Sequence, residues 1–176
     1  ELREDRDFLL ECVKQQGMCL KYLPEYQGDR EFALAAVQHN PRALEHVSNE
    51  LTKDREIVLL AGRQDGDTIL YAAKELRDDP KIALIAVRHN GENLKFLFEQ
   101  LKNNKEIVLA AVKNKGTALH HASKEMKNNK DVVLAAVKTD AFAYQAASKT
   151  LRKDEDIIEA ALKQNGNLLQ LTPELQ

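Results

Sequence analysis

NNKEIVLAAVKNKGTALHHASKEM, residues 103–126, consists of two short amphipathic pieces joined at a glycine. Asn104 can cap the first piece, and Ile107, Val108, Ala111 and Val112 fall on one face of a helix with 3.6 residues per turn. Gly116 can end it, since glycine supplies the left-handed residue that commonly stops a helix. A second piece then runs from Thr117 through Leu119, Ala122 and Met126 into another cap, Asn129.

The whole chain repeats this unit. Cap residues recur at Asp5, Asp29, Asp54, Asp79, Asn104, Asn129 and Asp154, a step of twenty-five residues everywhere except the first, which is twenty-four. The linker residue follows in register at Gly17, Pro41, Gly66, Gly91, Gly116, Ala141 and Gly166. Each unit has too little apolar surface to close a core alone, so neighbours must stack to bury one. The reading is all-α: an α-solenoid of seven tandem two-helix repeats of about 25 residues, filling 1–176 as a single helical-repeat domain. The units lie approximately at 1–25, 26–50, 51–75, 76–100, 101–125, 126–150 and 151–176. Because the chain opens inside a repeat, it reads as a fragment of a larger protein.

The first helix of each unit carries Phe8, Phe32, Ile57, Ile82, Ile107, Val132 and Ile157 three places after the cap, and these are expected to be buried. Small residues at Cys12, Ala36, Ala61, Ala86, Ala111, Ala136 and Ala161 let neighbouring helices approach. Repeat three departs from the pattern, with Leu60 where most units have Ala and Gly62 where others have Val. Acidic residues after the caps, among them Glu31, Glu56, Glu106, Asp131 and Asp156, suit the positive end of a helix dipole and are expected to be solvated there. Pro41 cannot adopt a left-handed conformation, so the second unit is expected to close differently, with Pro41 opening its next helix. The second helix is expected to bury Leu20, Leu44, Ile69, Leu94, Leu119, Tyr144 and Leu169, and to be shorter or kinked at Pro24 and Pro173.

Composition removes several function classes. With 26 basic against 28 acidic residues the net charge is -2, which gives no strong nucleic-acid signal. No apolar run reaches the roughly 20 residues that span a bilayer, and the start lacks the apolar core of a signal peptide. The expected setting is therefore soluble and intracellular. Cys12 and Cys19 stand where other units mostly have Ala, and they read as buried reduced thiols.

The stretches EIVLAAVKNKGTALHHASKEM, DVVLAAVKTDAFAYQAASKTL and EFALAAVQHNPRALEHVSNEL together resemble the tandem repeats of the domain-of-unknown-function family DUF4116, and the likeness covers essentially the whole chain. That resemblance implies occurrence in bacterial effector-like proteins, delivered into a host cell, and in large proteins of microbial eukaryotes. It implies no catalytic residues, because the family has no assigned chemistry.

No catalytic, cofactor or metal motif survives its context. His120 and His121 are consecutive on a helix and do not share a face, while His39 and His89 belong to units two apart. Ser48, Ser123 and Ser148 recur at one slot with no base at a recognisable spacing, and read as packing residues. No site for a cofactor or metal is expected, and the chain is expected not to be an enzyme. Two ladders remain as binding surfaces. A basic stripe, Lys14, Arg63, Arg88, Lys113, Lys138 and Lys163, would either compensate helix C-termini or meet an acidic partner, anionic lipid or nucleic acid. An aromatic-rich ladder, Tyr22, His46, Tyr71, Phe96 and His121 with Phe98 beside it, would either pack between neighbouring second helices or form a ridge where a partner docks.

The leading expectation is a non-enzymatic scaffold that recognises a protein or peptide. One alternative is a nucleic-acid or phosphoinositide-binding repeat domain, read through the variable polar column Gln15, His39, Gln64, His89, Asn114, Thr139 and Gln164. Another is an accessory positioning domain for a catalytic part outside this chain.

Overall fold

The computed structural model describes residues 5–166. Seven ten-residue α-helices recur along them: α1 (Arg6–Gln15), α2 (Arg30–His39), α3 (Arg55–Gln64), α4 (Pro80–His89), α5 (Lys105–Asn114), α6 (Lys130–Thr139) and α7 (Glu155–Gln164). Each starts directly after its expected cap. The Asp5, Asp29, Asp54, Asp79, Asn104 and Asp154 side chains each accept from the backbone N–H groups two and three residues on, and Asn129 accepts from Val132. These bonds satisfy donors that have no partner within the helix. No strand occurs among the described residues, and the fold is all-α.

The second half of each unit is helical but is not one continuous α-helix. A six-residue 3₁₀ helix, such as Gly66–Tyr71, Gly91–Phe96 or Gly116–His121, is followed by an extended residue and then a single turn, such as Lys124–Lys127. The apolar spacing explains this. Gly116, Leu119 and Ala122 are buried at intervals of three, which is the period of a 3₁₀ helix, whose residues i and i+3 eclipse. Ala122 and Ser123 then adopt extended backbone, and the Ser123 hydroxyl caps the closing turn at Met126. Near Pro24 the closing turn is the three-residue Pro24–Tyr26; Leu169 and Pro173 lie outside the described residues.

The linker glycines work differently from the left-handed stop expected of them. No residue among those described, glycine included, has a positive φ. Gly17, Pro41, Gly66, Gly91, Gly116 and Ala141 each open a 3₁₀ helix, and the residue before each of the last five is extended, as at Asn40 (φ -140°, ψ 110°) and Lys115 (φ -145°, ψ 111°). Pro41 therefore opens a helix as expected, but its unit closes in the same way as the others. Glycine is used for proximity. A Cβ on Gly116 would lie 2.4 Å from the Ala136 carbonyl oxygen of the next unit, and one on Gly17 would lie 2.2 Å from that of Ala36.

The described chain divides into two compact units, Glu1–Ala86 and Val87–Gln176. In the first, α1 packs on α2 and α2 on α3, over a core that includes Val13, Leu20, Phe32, Val37, Leu44, Ile57 and Ile69. Tyr26 stacks on Phe32 with ring centroids 4.3 Å apart. Phe8, expected in this core, is 45% exposed; Leu9 and Leu10 are buried from the same helix. The space beside Gly62 in repeat three faces the Ile85 side chain, which stands where Ala35 does in α2. In the second unit, α5 packs on α6 and α6 on α7 around Val108, Val112, Leu119, Val133, Val137, Tyr144 and Ile157. Tyr144 is the bulkiest of these, and its hydroxyl donates to the Arg152 carbonyl at 2.5 Å.

Candidate binding surfaces

Most of the recurring polar residues join one repeat to the next. In five of the seven repeats a basic residue directly follows the cap and reaches forward to the acids of the following repeat. Arg6 pairs with Asp29 (2.9 Å) and Glu31 (2.8 Å), Arg30 with Asp54 (2.7 Å) and Glu56, and Arg55 with Asp79 (3.1 Å). In the second unit Lys105 pairs with Asp131 (2.6 Å), and Lys130 with Asp154 (2.8 Å) and Asp156 (2.6 Å). The acids expected to be solvated dipole partners are thus also bridged across the stack, Glu106 excepted. Burial pushes the Asp54 carboxyl up, but Arg30 and the backbone N–H groups of Ile57 and Glu56 outweigh it and hold the group below its usual range. Asp29 and Asp79 are held low in the same manner, by Arg6 and Arg55 with the local backbone donors. This ladder was missed in the sequence because its partners sit 23 to 26 residues apart, a spacing that has meaning only once the stacking is known.

The variable polar column is likewise largely occupied. Asn114 accepts from the Gly91 N–H (2.8 Å) and donates to the carbonyls of Arg88 (3.0 Å) and His89 (3.4 Å). Gln64 donates to the Val37 carbonyl at 3.1 Å, Gln164 to that of Thr139 at 3.4 Å, and His39 Nδ1 accepts from the Gly17 N–H at 3.2 Å. These side chains satisfy backbone groups at the ends of preceding helices. The serine slot does more than pack: the Ser123 and Ser148 hydroxyls donate to the Asn103 and Asn128 side chains, 20 residues earlier, both at 2.7 Å.

The aromatic ladder is divided by its environment. Tyr71 is half-buried with its hydroxyl against Glu45 of the preceding repeat; burial, then the Glu45 charge and hydrogen bond, push its phenol up. His121 Nε2 lies 3.2 Å from Glu92, which also accepts from Thr117 (3.0 Å) and faces Lys115 (3.5 Å). Burial raises the Glu92 carboxyl, and these three partners overcome that and lower it. His46 is half-buried, and so is Phe96, with the Lys95 ammonium 4.6 Å over its ring. Tyr22 and Phe98 are the exposed members, at 77% and 37%. Phe142 (40%) and Leu70 (39%), also on the 3₁₀ layer, are exposed as well and were not singled out by the sequence, because neither shares a slot with the ladder.

All six residues of the basic stripe are exposed. Lys14 pairs with Glu11 (2.6 Å) and Lys163 with Glu159 (2.5 Å). Arg63, Arg88, Lys113 and Lys138 have no ion pair among the described residues. Cys12 and Cys19 are free thiols and half-buried, less enclosed than expected. No described helix is long and apolar enough to cross a membrane.

The repeats can now be set beside known proteins. No curated protein and no solved structure matches the chain. A family model described as "Domain of unknown function (DUF4116)" matches residues 1–26, 29–77, 79–127 and 129–176. The last three matches each take in two successive 25-residue units, and they begin at the caps Asp29, Asp79 and Asn129. With nearly every residue inside one of these matches, the chain belongs to the DUF4116 family as a run of its tandem repeats.

Proposed function

We propose that this chain is a non-enzymatic helical-repeat scaffold that recognises a protein or peptide. The supporting observation is a division of labour among its polar and apolar groups. Caps, polar column and serines are engaged in holding the stack, whereas Tyr22 and Leu70 in the first compact unit, and Phe98 and Phe142 in the second, leave large apolar surface exposed on or just after the 3₁₀ helices. Aromatic anchors of this kind carry a disproportionate share of interface energy. Base reading through the polar column draws no support, since Gln64, Asn114 and Gln164 already spend donors on backbone carbonyls.

The setting implied by the resemblance, a segment of a larger effector acting inside a host cell, belongs to the same proposal. Cross-linking capture with the whole chain is expected to recover a discrete partner, and Phe98→Ala with Phe142→Ala, both in the second compact unit, is expected to weaken capture without loss of helicity. Undiminished capture by that double variant removes the aromatic surface as the docking site.

A further inference from the structure

The second compact unit carries a different surface, on the exposed side of its ten-residue helices. Arg88, Lys113 and Lys138 stand at one structural slot of three successive repeats, in the last turns of α4, α5 and α6. All three are exposed and none has an ion pair among the described residues. The neighbouring charges are mostly cancelled. Lys105, Asp131, Lys130 and Asp156 pair across repeats at the opposite ends of the helices, and Lys163 is taken by Glu159. Glu106 and Glu155 are the anions left unpaired on these helices, both at the N-terminal ends; Asp140, which caps the C-terminus of α6 two residues after Lys138, accepts from the Phe142 N–H and is the nearest anion in sequence to the cation row. Glu106 is seven residues from Lys113, about 10 Å along the axis at 1.5 Å per residue, which is beyond the roughly 8 Å Debye length of physiological salt. The negative helix C-termini reduce each cation by about half a charge and leave the sign unchanged.

Beside the cations runs an apolar floor. Leu109, Ala110, Leu134 and Ala135 are half-buried, and Leu134 with Ala160 lines a groove of about 360 Å³ whose rim carries Lys138 and Lys163 together with Asp156 and Glu159; those two carboxylates are already paired, with Lys130 and Lys163, which leaves Lys138 as the uncompensated charge. None of the large apolar residues exposed in this unit lies on α5, α6 or α7. The floor is therefore recessed, which suits side chains entering it better than insertion into a lipid surface.

Resting on the recognition function proposed above, we infer that this face of the second unit docks an extended acidic peptide, its carboxylates on Arg88, Lys113 and Lys138 and its intervening apolar side chains on the leucine floor. Packed helices repeat every 8–10 Å or so, and in a polyproline II chain, with three residues per turn and a rise of about 3.1 Å, every third residue recurs on the same face at about 9 Å, so one carboxylate meets one cation per repeat. Phosphodiester backbones would match the cations but offer nothing apolar to the leucines, and this face carries no aromatic platform on which bases could stack.

The test is fluorescence anisotropy of the whole chain with a labelled twelve-residue peptide carrying Glu at every third position and Leu between. A permuted peptide of the same composition and a single-stranded oligonucleotide serve as comparisons. The patterned peptide is expected to bind best, more weakly as salt rises, and about tenfold more weakly to the Arg88→Gln, Lys113→Gln, Lys138→Gln variant. The thermal midpoint of that variant is expected to be unchanged, because none of the three is ion-paired. Equal binding of the permuted peptide, tighter binding of the oligonucleotide, or full peptide binding by the variant overturns the inference. A partner recovered by cross-linking that is lost with Phe98→Ala but kept by the triple variant sinks this docking mode while leaving the recognition function standing.

Discussion

Two glycine-to-alanine substitutions are expected to have opposite signs, although both add one methyl group to an internal position. At Gly62, in the interior of α3, a new Cβ would sit 3.8 Å from Ile85 Cγ2, an ordinary van der Waals contact. Alanine is favoured over glycine inside a helix by about 1 kcal/mol, so Gly62→Ala should stabilise by roughly that amount. At Gly116 the new Cβ would sit 2.4 Å from Ala136 O, 2.7 Å from Asp140 Cβ and 2.8 Å from Asp140 N. Two of these are backbone atoms of α6 and its C-terminal cap, so no rotamer change relieves the clash. Overpacking of this kind costs about 1–3 kcal/mol. The reduced freedom of the unfolded chain returns about 0.4–1 kcal/mol of that. Ala141 fills the same slot one repeat later, which shows that the stack can yield locally, so a net loss of about 1–2 kcal/mol is expected. The two variants should differ by about 2–3 kcal/mol, or one to two orders of magnitude in folding equilibrium. Urea unfolding followed by far-UV circular dichroism measures this as midpoints displaced in opposite directions from the parent. A Gly116→Ala midpoint at or above the parent's would refute the close-approach account of the linker glycines.

The clamp at Asn114 is expected to matter where its neighbour does not. Asn114→Ala should cost about 1–2 kcal/mol and expose the Gly91 amide to faster hydrogen exchange, while Lys113→Ala should stay within about 0.5 kcal/mol of the parent. Removing the buried hydroxyl with Tyr144→Phe strands the Arg152 carbonyl contact and should cost about 1 kcal/mol by the same unfolding measurement. Acid should act through the inter-repeat ladder. Asp29, Asp54 and Asp79 are held below 3.8, so the unfolded chain binds more protons than the folded one around and below that pH. Their contribution is complete above about pH 5 and is lost as pH falls through the folded values. Thermal midpoints should therefore drop on acidification below pH 4, and less steeply in Arg30→Gln; an equally steep drop in that variant would count against the bridge.

Much of the architecture was legible in residues 103–126 because it is written in local chemistry. A cap side chain bonds N–H groups two and three residues away, and an apolar face needs only helical spacing, so Asn104 and Ile107 declare a helix without reference to the rest of the chain. The 3₁₀ character of the second half was present too, in the threefold spacing of Gly116, Leu119 and Ala122, but six residues are too few for period alone to separate three from 3.6. The candidate surfaces were less legible. The sequence leaves Tyr71 and His121 either packed between neighbouring second helices or on a ridge, and in the structure each is engaged by a carboxylate of the preceding repeat.

By itself the sequence determined the repeat, its length, its caps and its all-α class, since each follows from contacts within about four residues. Only the tertiary structure decided what the recurring polar residues are for. Arg30 finds Asp54 24 residues away, Asn114 finds Gly91 23 residues away, and Gly116 gives way to the Ala136 carbonyl. In a stacked array a residue's nearest neighbours lie one full repeat distant, so the same side chain reads as solvent-facing along the chain and as a joint across it.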